Sequence, residues 1–367
     1  MSNKIVIISP FEWREDLYPH LYEFVINLRE EAEVDYYYFS ERGYWIENLF
    51  ANLKSNLFSK KGYRPFLSLS LEIRKLYLVR KKYKDFKIIT IDNFIFCLAN
   101  MIFRPKQIIH WSHDFVSYDN PSSKYLSQKI IKYFTKLYIT KANLFLSQSK
   151  EREETFYKSI GLNNPQVEVF YLPVCLNKIN STNLAKVAIR EKLTFIQIGG
   201  INEFRSNSIS IMKSFDYNYH YITHGFIDND FKRELQSGNF DVEVSNKILT
   251  TFELYNKIFN ETDAGIISYV ANNLNFKNIA LASGQFAEFM RTLKPVIVIG
   301  NNTLTSYVNE KKLGRGIFSV HEIKMAQLDI DQNYDYYVKN ITEFNSSHEL
   351  KKLCSLLMKK MFSNENS

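Results

Sequence analysis

At 367 residues, 45% of them apolar and 23% charged, the chain exceeds what one hydrophobic core usually serves, so two domains are expected and a disordered chain is excluded. The net charge of +8 is unevenly placed, and an aromatic content of 15% with few Gly and Pro argues against a turn-rich all-β design. Three widely spaced cysteines, Cys97, Cys175 and Cys354, make no CxxC pair; they read as core thiols in a reducing cytosol and point to no metal site.

The opening MSNKIVIISP has too short an apolar run for a signal peptide and reads as a strand, Lys4 to Ser9. Leu17 to Arg29 has helical spacing, and Val34 to Phe39 is strand-like. Between Ala51 and Thr90, eleven Lys and Arg face only Glu72 and Asp85, a local net charge of +9. Lys60, Lys61, Arg64, Lys81, Lys82 and Lys84 are interleaved there with bulky apolar residues such as Leu57, Phe58, Tyr77 and Leu78. Basic stems beside apolar groups suit the headgroup layer of an anionic membrane. A solvated lysine-rich helical face is the alternative, and nucleic acid is not expected because no nucleic-acid fingerprint accompanies the patch.

Strand and helix then alternate: Lys87 to Ile91 (strand), Asn93 to Ile102 (helix), Gln107 to Trp111 (strand), Leu126 to Lys141 (helix) and Asn143 to Ser147 (strand). A helix from Glu151 to Ser159, ended by Gly161, precedes a strand from Val167 to Leu172. This alternation implies a parallel, doubly wound sheet. The longest mainly apolar stretch, Phe94 to Phe103, is about half of what a membrane span needs. The run QIIHWSHDF puts His113 and Asp114 at a strand's carboxyl end, where α/β sheets bind ligands. A histidine there has the pKa of a base or of a polariser of an acceptor hydroxyl; a hydrogen-bonded loop pair is the plain alternative. His110, in mid-strand, reads as structural.

Pro173 to Lys192 is polar and irregular, the expected interdomain linker. A second series follows: Leu193 to Ile198 (strand) ending in Gly199-Gly200, then a helix from Asn207 to Phe215 with Asn207 as its N-cap. The strands Tyr219 to Thr223, ending in His224-Gly225, and Phe240 to Val244 come next, then the helix Phe252 to Asn260 and the strand Ala264 to Ser268. Ala282 to Gly300, ASGQFAEFMRTLKPVIVIG, reads as a Ser283-Gly284 turn opening a helix with Glu288 in its first turns. A Lys294-Pro295 corner and the strand Val296 to Ile299 complete it. Unpaired N–H groups at the positive end of such a helix suit a phosphate. A last helix is expected from His348 to Phe362.

The order of features in Ala282–Gly300 resembles the donor-sugar motif of GT-B glycosyltransferases, especially the family 4-like group. The resemblance implies two Rossmann-like doubly wound α/β domains facing a cleft. The expected boundaries are residues 1–172 for an acceptor domain with a basic insertion at 51–90, and 173–192 for a linker. A nucleotide-sugar domain would span 193–345, and a helix at 346–367 would cross back to the first domain. It implies donor contacts from Gly199, Gly200, Arg205, Tyr269, Ser283, Gly284, Gln285 and Glu288, with His113 and Asp114 as the catalytic pair, one of them the base if the reaction inverts and both binding groups if it retains. The implied function is metal-independent, retaining transfer from a nucleotide sugar to a glycan or lipid-linked acceptor in cell-surface polysaccharide assembly. No cofactor is expected, and the implied location is the cytoplasmic, peripheral inner face of the cell membrane. A non-catalytic partner subunit and a nucleotide-sugar epimerase are the alternatives.

The chain departs from the family pattern in several places. Gly200 stands where the arginine of a Gly-Arg pair is usual, Arg205-Ser206 where Lys-Gly is usual, and Leu293 replaces the glycine before Lys294. Ala280 stands where the first of two paired glutamates is usual. The DxD triplets Asp228-Asn229-Asp230 and Asp329-Ile330-Asp331 are expected away from strand ends and without a metal role.

Overall fold

The computed structural model describes residues 3–15, 17–39, 73–78, 80–103, 105, 107–113, 126–163, 165–177, 192–238, 240–245, 249, 251–270 and 274–362. Two compact units divide the chain: Met1–Pro173 with Lys351–Ser367, and Val174–Leu350.

In the first unit, β1 (Lys4–Ser9), α1 (Pro19–Arg29), β2 (Glu33–Tyr38), β3 (Lys87–Ile91), α2 (Asn93–Phe103) and β4 (Ile108–Trp111) follow one another. Then come α3 (Leu126–Ile139), β5 (Leu144–Ser147), α4 (Lys150–Ile160) and β6 (Val169–Tyr171). The strands form one parallel sheet in the order β2-β1-β3-β4-β5-β6. β3, β4 and β5 are buried at every position. Their continuous apolar runs reflect a sheet covered on both faces. His110 is buried in mid-strand, with Nε2 2.9 Å from Asn93 Oδ1 and its ring stacked on Phe96 at 4.3 Å. Burial pushes this imidazole down to about 3, so it is a neutral part of the core. The turn into α4 is set by Ser149, whose hydroxyl accepts from the Arg152 N–H, and α4 ends on Gly161 at φ 71°.

The second unit begins with β7 (Thr194–Ile201), α5 (Glu203–Ser206), α6 (Ser208–Ser214), β8 (His220–Ile227), α7 (Asn229–Ser237), β9 (Val242–Ser245) and α8 (Thr251–Glu261). It continues with β10 (Ala264–Ser268), α9 (Leu274–Lys277), a short 3-10 turn (Ala280–Ala282), α10 (Gly284–Arg291), β11 (Val296–Ile299) and α11 (Thr303–Lys311). β12 (Gly314–Ile317), α12 (Ile323–Gln332) and α13 (Tyr334–Ser347) close it. This sheet is also parallel, in the order β12-β11-β10-β7-β8-β9. The chain therefore winds outward in opposite directions from the β7/β10 pair, the switch point at which α/β sheets bind ligands. Val174 and Leu176 are buried against Ala287 of α10, and the Val174 N–H donates to Leu281 O at 2.7 Å.

Two strands run further than the sequence implies. β7 passes through Gly199-Gly200 and β8 through His224-Gly225, paired in register. Glycine reads as a terminator, yet here Gly199 (φ 102°) and Gly225 (φ 135°) bend the two strands together. A Cβ on Gly225 would fall 2.0 Å from Gly199 O, so a glycine at 225 is what allows this approach. Because β8 reaches Ile227, Asp228 directly follows a strand, contrary to expectation. Its carboxylate accepts from the Phe231 N–H and caps α7. Asp230 pairs with Arg233, and Asp329 and Asp331 accept from the hydroxyls of Tyr337 and Tyr219. Asn207 does not cap α6 with its side chain: it ends the unforeseen helix α5 in the left-handed region at φ 49°.

The last helix, α14 (Leu350–Phe362), groups with the first unit from Lys351 onward. Lys351 pairs with Glu30 at 2.7 Å and Lys360 with Glu168 at 2.9 Å. The buried Lys87 of β3 donates Nζ to Met361 O and lies 3.9 Å from the Phe362 ring centroid. An ammonium on its terminal carbonyls complements the helix dipole. Among the described residues no helix is long and apolar enough to cross a membrane.

Candidate functional site

The carboxyl ends of β7 and β10 draw together residues that are far apart in sequence. Gln285, in the first turn of α10, donates Nε2 to Ile198 O of β7 at 2.7 Å. A Cβ on the next residue, Gly199, would lie 2.4 Å from that nitrogen, so a side chain there would displace the Gln285 amide from Ile198. Tyr269, just past β10, shares a hydrogen bond with Ser283 through their hydroxyls at 2.8 Å. Ser283 also accepts from the Phe286 N–H at 3.0 Å, capping α10. On the other side, the Val270 N–H donates to Arg205 O at 3.0 Å, and Asn207 Nδ2 to Ser268 Oγ at 3.3 Å. Gly199, Arg205, Tyr269, Ser283 and Gln285 thus converge on one edge of the sheet.

The surface they form is open backbone and positive charge. Gly199, Gly200, Gly284 and Arg205 are exposed. A Cβ on Gly284 would meet nothing within 4 Å. The N–H groups of Gly284 and Gln285 lie in the first turn of α10, where no intrahelical acceptor exists. The Arg205 main chain is pinned by Asn202 Oδ1 (2.8 Å) and Val270, while its guanidinium makes no hydrogen bond or ion pair with any described residue. A free guanidinium, a helix N-terminus and exposed glycine backbone are the elements of a phosphate cradle. The hydroxyls of Ser283 and Tyr269 and the Gln285 amide N–H are already committed internally, and burial pushes the Tyr269 phenol up to about 12.

Glu288 is largely covered: it is only 7% exposed, and Oε2 accepts from Arg291 Nη2 at 2.6 Å in a pair that is itself buried. Burial holds its carboxyl above the usual carboxylate range, opposed by the Arg291 guanidinium. No described residue donates to Oε1. Leu293, where the family has glycine, sits at φ 58°, with its N–H donating to Met290 O and the Lys294 N–H to Phe289 O. Glycine is the usual residue at such a left-handed helix terminator, and leucine adopts the conformation at a cost of about 1–2 kcal/mol. Ala280 is buried with its N–H donating to Thr303 Oγ1 at 3.0 Å. His224 is buried in β8, with Nδ1 2.9 Å from Ser245 Oγ.

In the first unit, His113 follows β4 by two residues; Asp114 lies outside the described residues, as do Lys60, Lys61 and Arg64. The His113 carbonyl accepts from Gln148 Nε2 at 3.1 Å and Arg152 Nη2 at 2.9 Å. Its ring meets His20 of α1, the Nε2 atoms 2.6 Å apart. His20, Gln148 and Arg152 escaped the sequence reading because nothing local marks them. Lys81, Lys82 and Lys84 are exposed, with Lys82 paired to Asp35 at 2.6 Å. Among the described residues no three His, Cys, Asp or Glu are grouped to hold a metal ion.

No protein-family model matches this chain, and no curated protein sequence matches it significantly. Its structure is similar to several solved ones. HepE of Anabaena, crystallised with UDP, superposes with a TM-score of 0.65 at 13% identity, over 98% of this chain and 100% of that one. WaaG, described as a glycosyltransferase involved in lipopolysaccharide biosynthesis, gives 0.60 at 9% identity over 98% and 99%. Sucrose-phosphate synthase from Thermosynechococcus elongatus gives 0.67 at 12% over 99% of both chains. The fold is GT-B. HepE has also been crystallised with UDP-glucose. In this GT-B chain, the exposed glycines, Arg205 and the α10 N-terminus at the β7/β10 switch lie in the second unit.

Proposed function

We propose that the chain is a glycosyltransferase that moves a sugar from a nucleotide-sugar donor to a glycan or lipid-linked acceptor in cell-surface polysaccharide assembly. The observation that carries the reading is the convergence of Gly199, Arg205, Ser283 and Gln285 on one switch point with unpaired helix N–H groups and a free guanidinium. UDP in HepE and the role described for WaaG support the substrate class. Arg205 and the α10 N-terminus stabilise the departing diphosphate, which makes a metal unnecessary for that charge. Glu288 Oε1 and the edge of Tyr269 face donor hydroxyls and base. The retaining course follows from the resemblance of Ala282–Gly300 to the family 4-like motif, and His113 with Asp114 serves the acceptor side.

An anionic membrane surface is the proposed location. Besides the basic stretch at 51–90, α3 exposes Ile130, Tyr133 and Leu137 beside Lys129 and Lys136, and its sequence contains no acidic residue.

Thermal unfolding of the protein with UDP, GDP, CDP and their sugars tests the donor site. One nucleotide family should raise Tm, the shift corresponding to about 2.7 kcal/mol at a ligand concentration 100 times Kd. No shift with any of them overturns the reading. Donor-sugar turnover without an acceptor would instead favour an epimerase, and binding without transfer or hydrolysis a partner subunit.

A further inference from the structure

Two imidazoles meet at the carboxyl edge of the first unit's sheet. His20 is the second residue of α1, directly after Pro19 at a helix start where proline fixes the backbone. His113 follows β4, 93 residues later, and its Nε2 lies 2.6 Å from His20 Nε2, with the ring centroids 4.8 Å apart and the planes 18° from parallel. The His113 main chain cannot drift, because its carbonyl is gripped by Gln148 and by Arg152, a guanidinium only 1% exposed whose Nε donates to Gln148 Oε1 at 3.0 Å. Phe11 and Trp111 flank the ring at centroid distances of 5.5 and 5.7 Å.

The contact has one chemical requirement. A nitrogen–nitrogen approach of this length bonds only when one Nε2 carries a hydrogen and the other offers its lone pair. The accepting ring must then keep its hydrogen on Nδ1, so the two neutral rings are opposite tautomers. The contact therefore holds the rotation of both rings and ties the tautomer of each to that of the other.

We propose that His20 is the positioning residue of His113, holding its ring in one rotation, with its tautomer coupled to that of His20, at the edge where the acceptor would react. The catalytic half of this proposal rests on the sugar-transfer reading of His113; the tautomer half rests on the His20–His113 geometry alone.

Nitrogen-15 spectra of the imidazoles, recorded on the full chain above the range where histidines titrate, test the geometry without any substrate. His20→Gln and His113→Gln assign the signals. The expected result is one ring protonated on Nε2 and the other on Nδ1, with His113 turning into a tautomer mixture in His20→Ala. Both rings in the same tautomer, or an unchanged His113 signal in His20→Ala, overturns the pairing. In turnover, His20→Ala should lower kcat about 100-fold, the scale of a misplaced reacting group, at unchanged affinity for donor. His20→Gln, whose amide can also donate or accept one hydrogen bond, should recover most of it. Equal kcat in wild type and His20→Ala removes His20 from the reaction while leaving sugar transfer standing. A wild type that turns over no donor counts against the sugar-transfer reading, and the spectra still decide the pair.

Discussion

At the β7/β10 switch of the second unit the strand ends present bare main chain: exposed Gly199, Gly200 and Gly284, the first turn of α10 and the free guanidinium of Arg205. At the ends of β1 and β4 in the first unit the surface is built of rings, with Phe11, Trp111 and His20 each against the His113 ring and the His113 carbonyl held by Arg152 and Gln148. The two sheets share parallel winding, so the difference lies in what each loop makes available. Open N–H groups and a guanidinium recognise anions; imidazoles among aromatic rings exchange protons and pack against a neutral partner. One architecture thus presents two different sets of groups, main-chain N–H and guanidinium in one unit and imidazoles among aromatic rings in the other.

The sharpest way to break this comparison is to remove Glu288. If its carboxylate serves the helix as well as the ligand, Glu288→Ala leaves the buried Arg291 guanidinium without its carboxylate and should cost about 3–5 kcal/mol, read from the urea midpoint. A loss within 0.5 kcal/mol, the range for an ordinary surface site, would return Glu288 to the role of an accessible binding group.

Arg205 is the converse case, a guanidinium with no hydrogen-bond or ion-pair partner among the described residues. Arg205→Ala should leave the urea midpoint in place and weaken nucleoside diphosphate binding by about 1.5–3 kcal/mol in calorimetry, the worth of a charged hydrogen bond. Unchanged affinity would remove the guanidinium from the cradle.

In the first unit, His110 makes a prediction about pH. Its folded pKa of about 3 lies below the ordinary 6.5, so the unfolded chain binds more protons between those values. Stability should therefore be intact above pH 6.5 and fall as pH drops through that window, by about 2 kcal/mol at pH 5 from this group. His110→Gln, whatever its stability at neutral pH, should lose less between pH 8 and pH 5. Parallel curves for the two proteins would show that the ring is not the source.

The smallest effect belongs to Leu293. With φ at 58° it occupies a left-handed position, and Leu293→Gly should stabilise the second unit by about 1 kcal/mol, seen as a raised Tm. A lowered Tm would mean that the packing of the leucine side chain outweighs the backbone strain.

Much of this fold could be read from the chain. Lys4–Ser9, Lys87–Ile91, Ala264–Ser268 and Val296–Ile299 are strands over the very residues their apolar runs mark, because both faces of a parallel sheet are covered and turn residues bound them. The misread ends of β7 and β8 share one cause: glycine ordinarily stops a strand, whereas Gly199 and Gly225 bend a continuing one. Ser283 and Gly284 were visible as a helix start through their residue types. Their meeting with Ile198 and Tyr269 is a long-range event that no window of sequence contains. The burial of Glu288 was partly legible, since Arg291 stands three residues on, the spacing of a helical ion pair. His20 carried no local sign at all, its partner being 93 residues distant.

The docking of α14 on the first unit bears on how the protein is made. Lys87 and Met361 are joined across 274 residues, so the first unit's own helix emerges only after the whole second unit has been synthesised. The second unit is a continuous segment, Val174–Leu350, and can close its sheet during translation. The first unit must wait with the carbonyl end of its last helix unmade and Lys87 without that partner. Synthesis therefore begins with the unit that is completed last, and a ribosome halted anywhere before Lys351 leaves the earlier-made unit as the unfinished one.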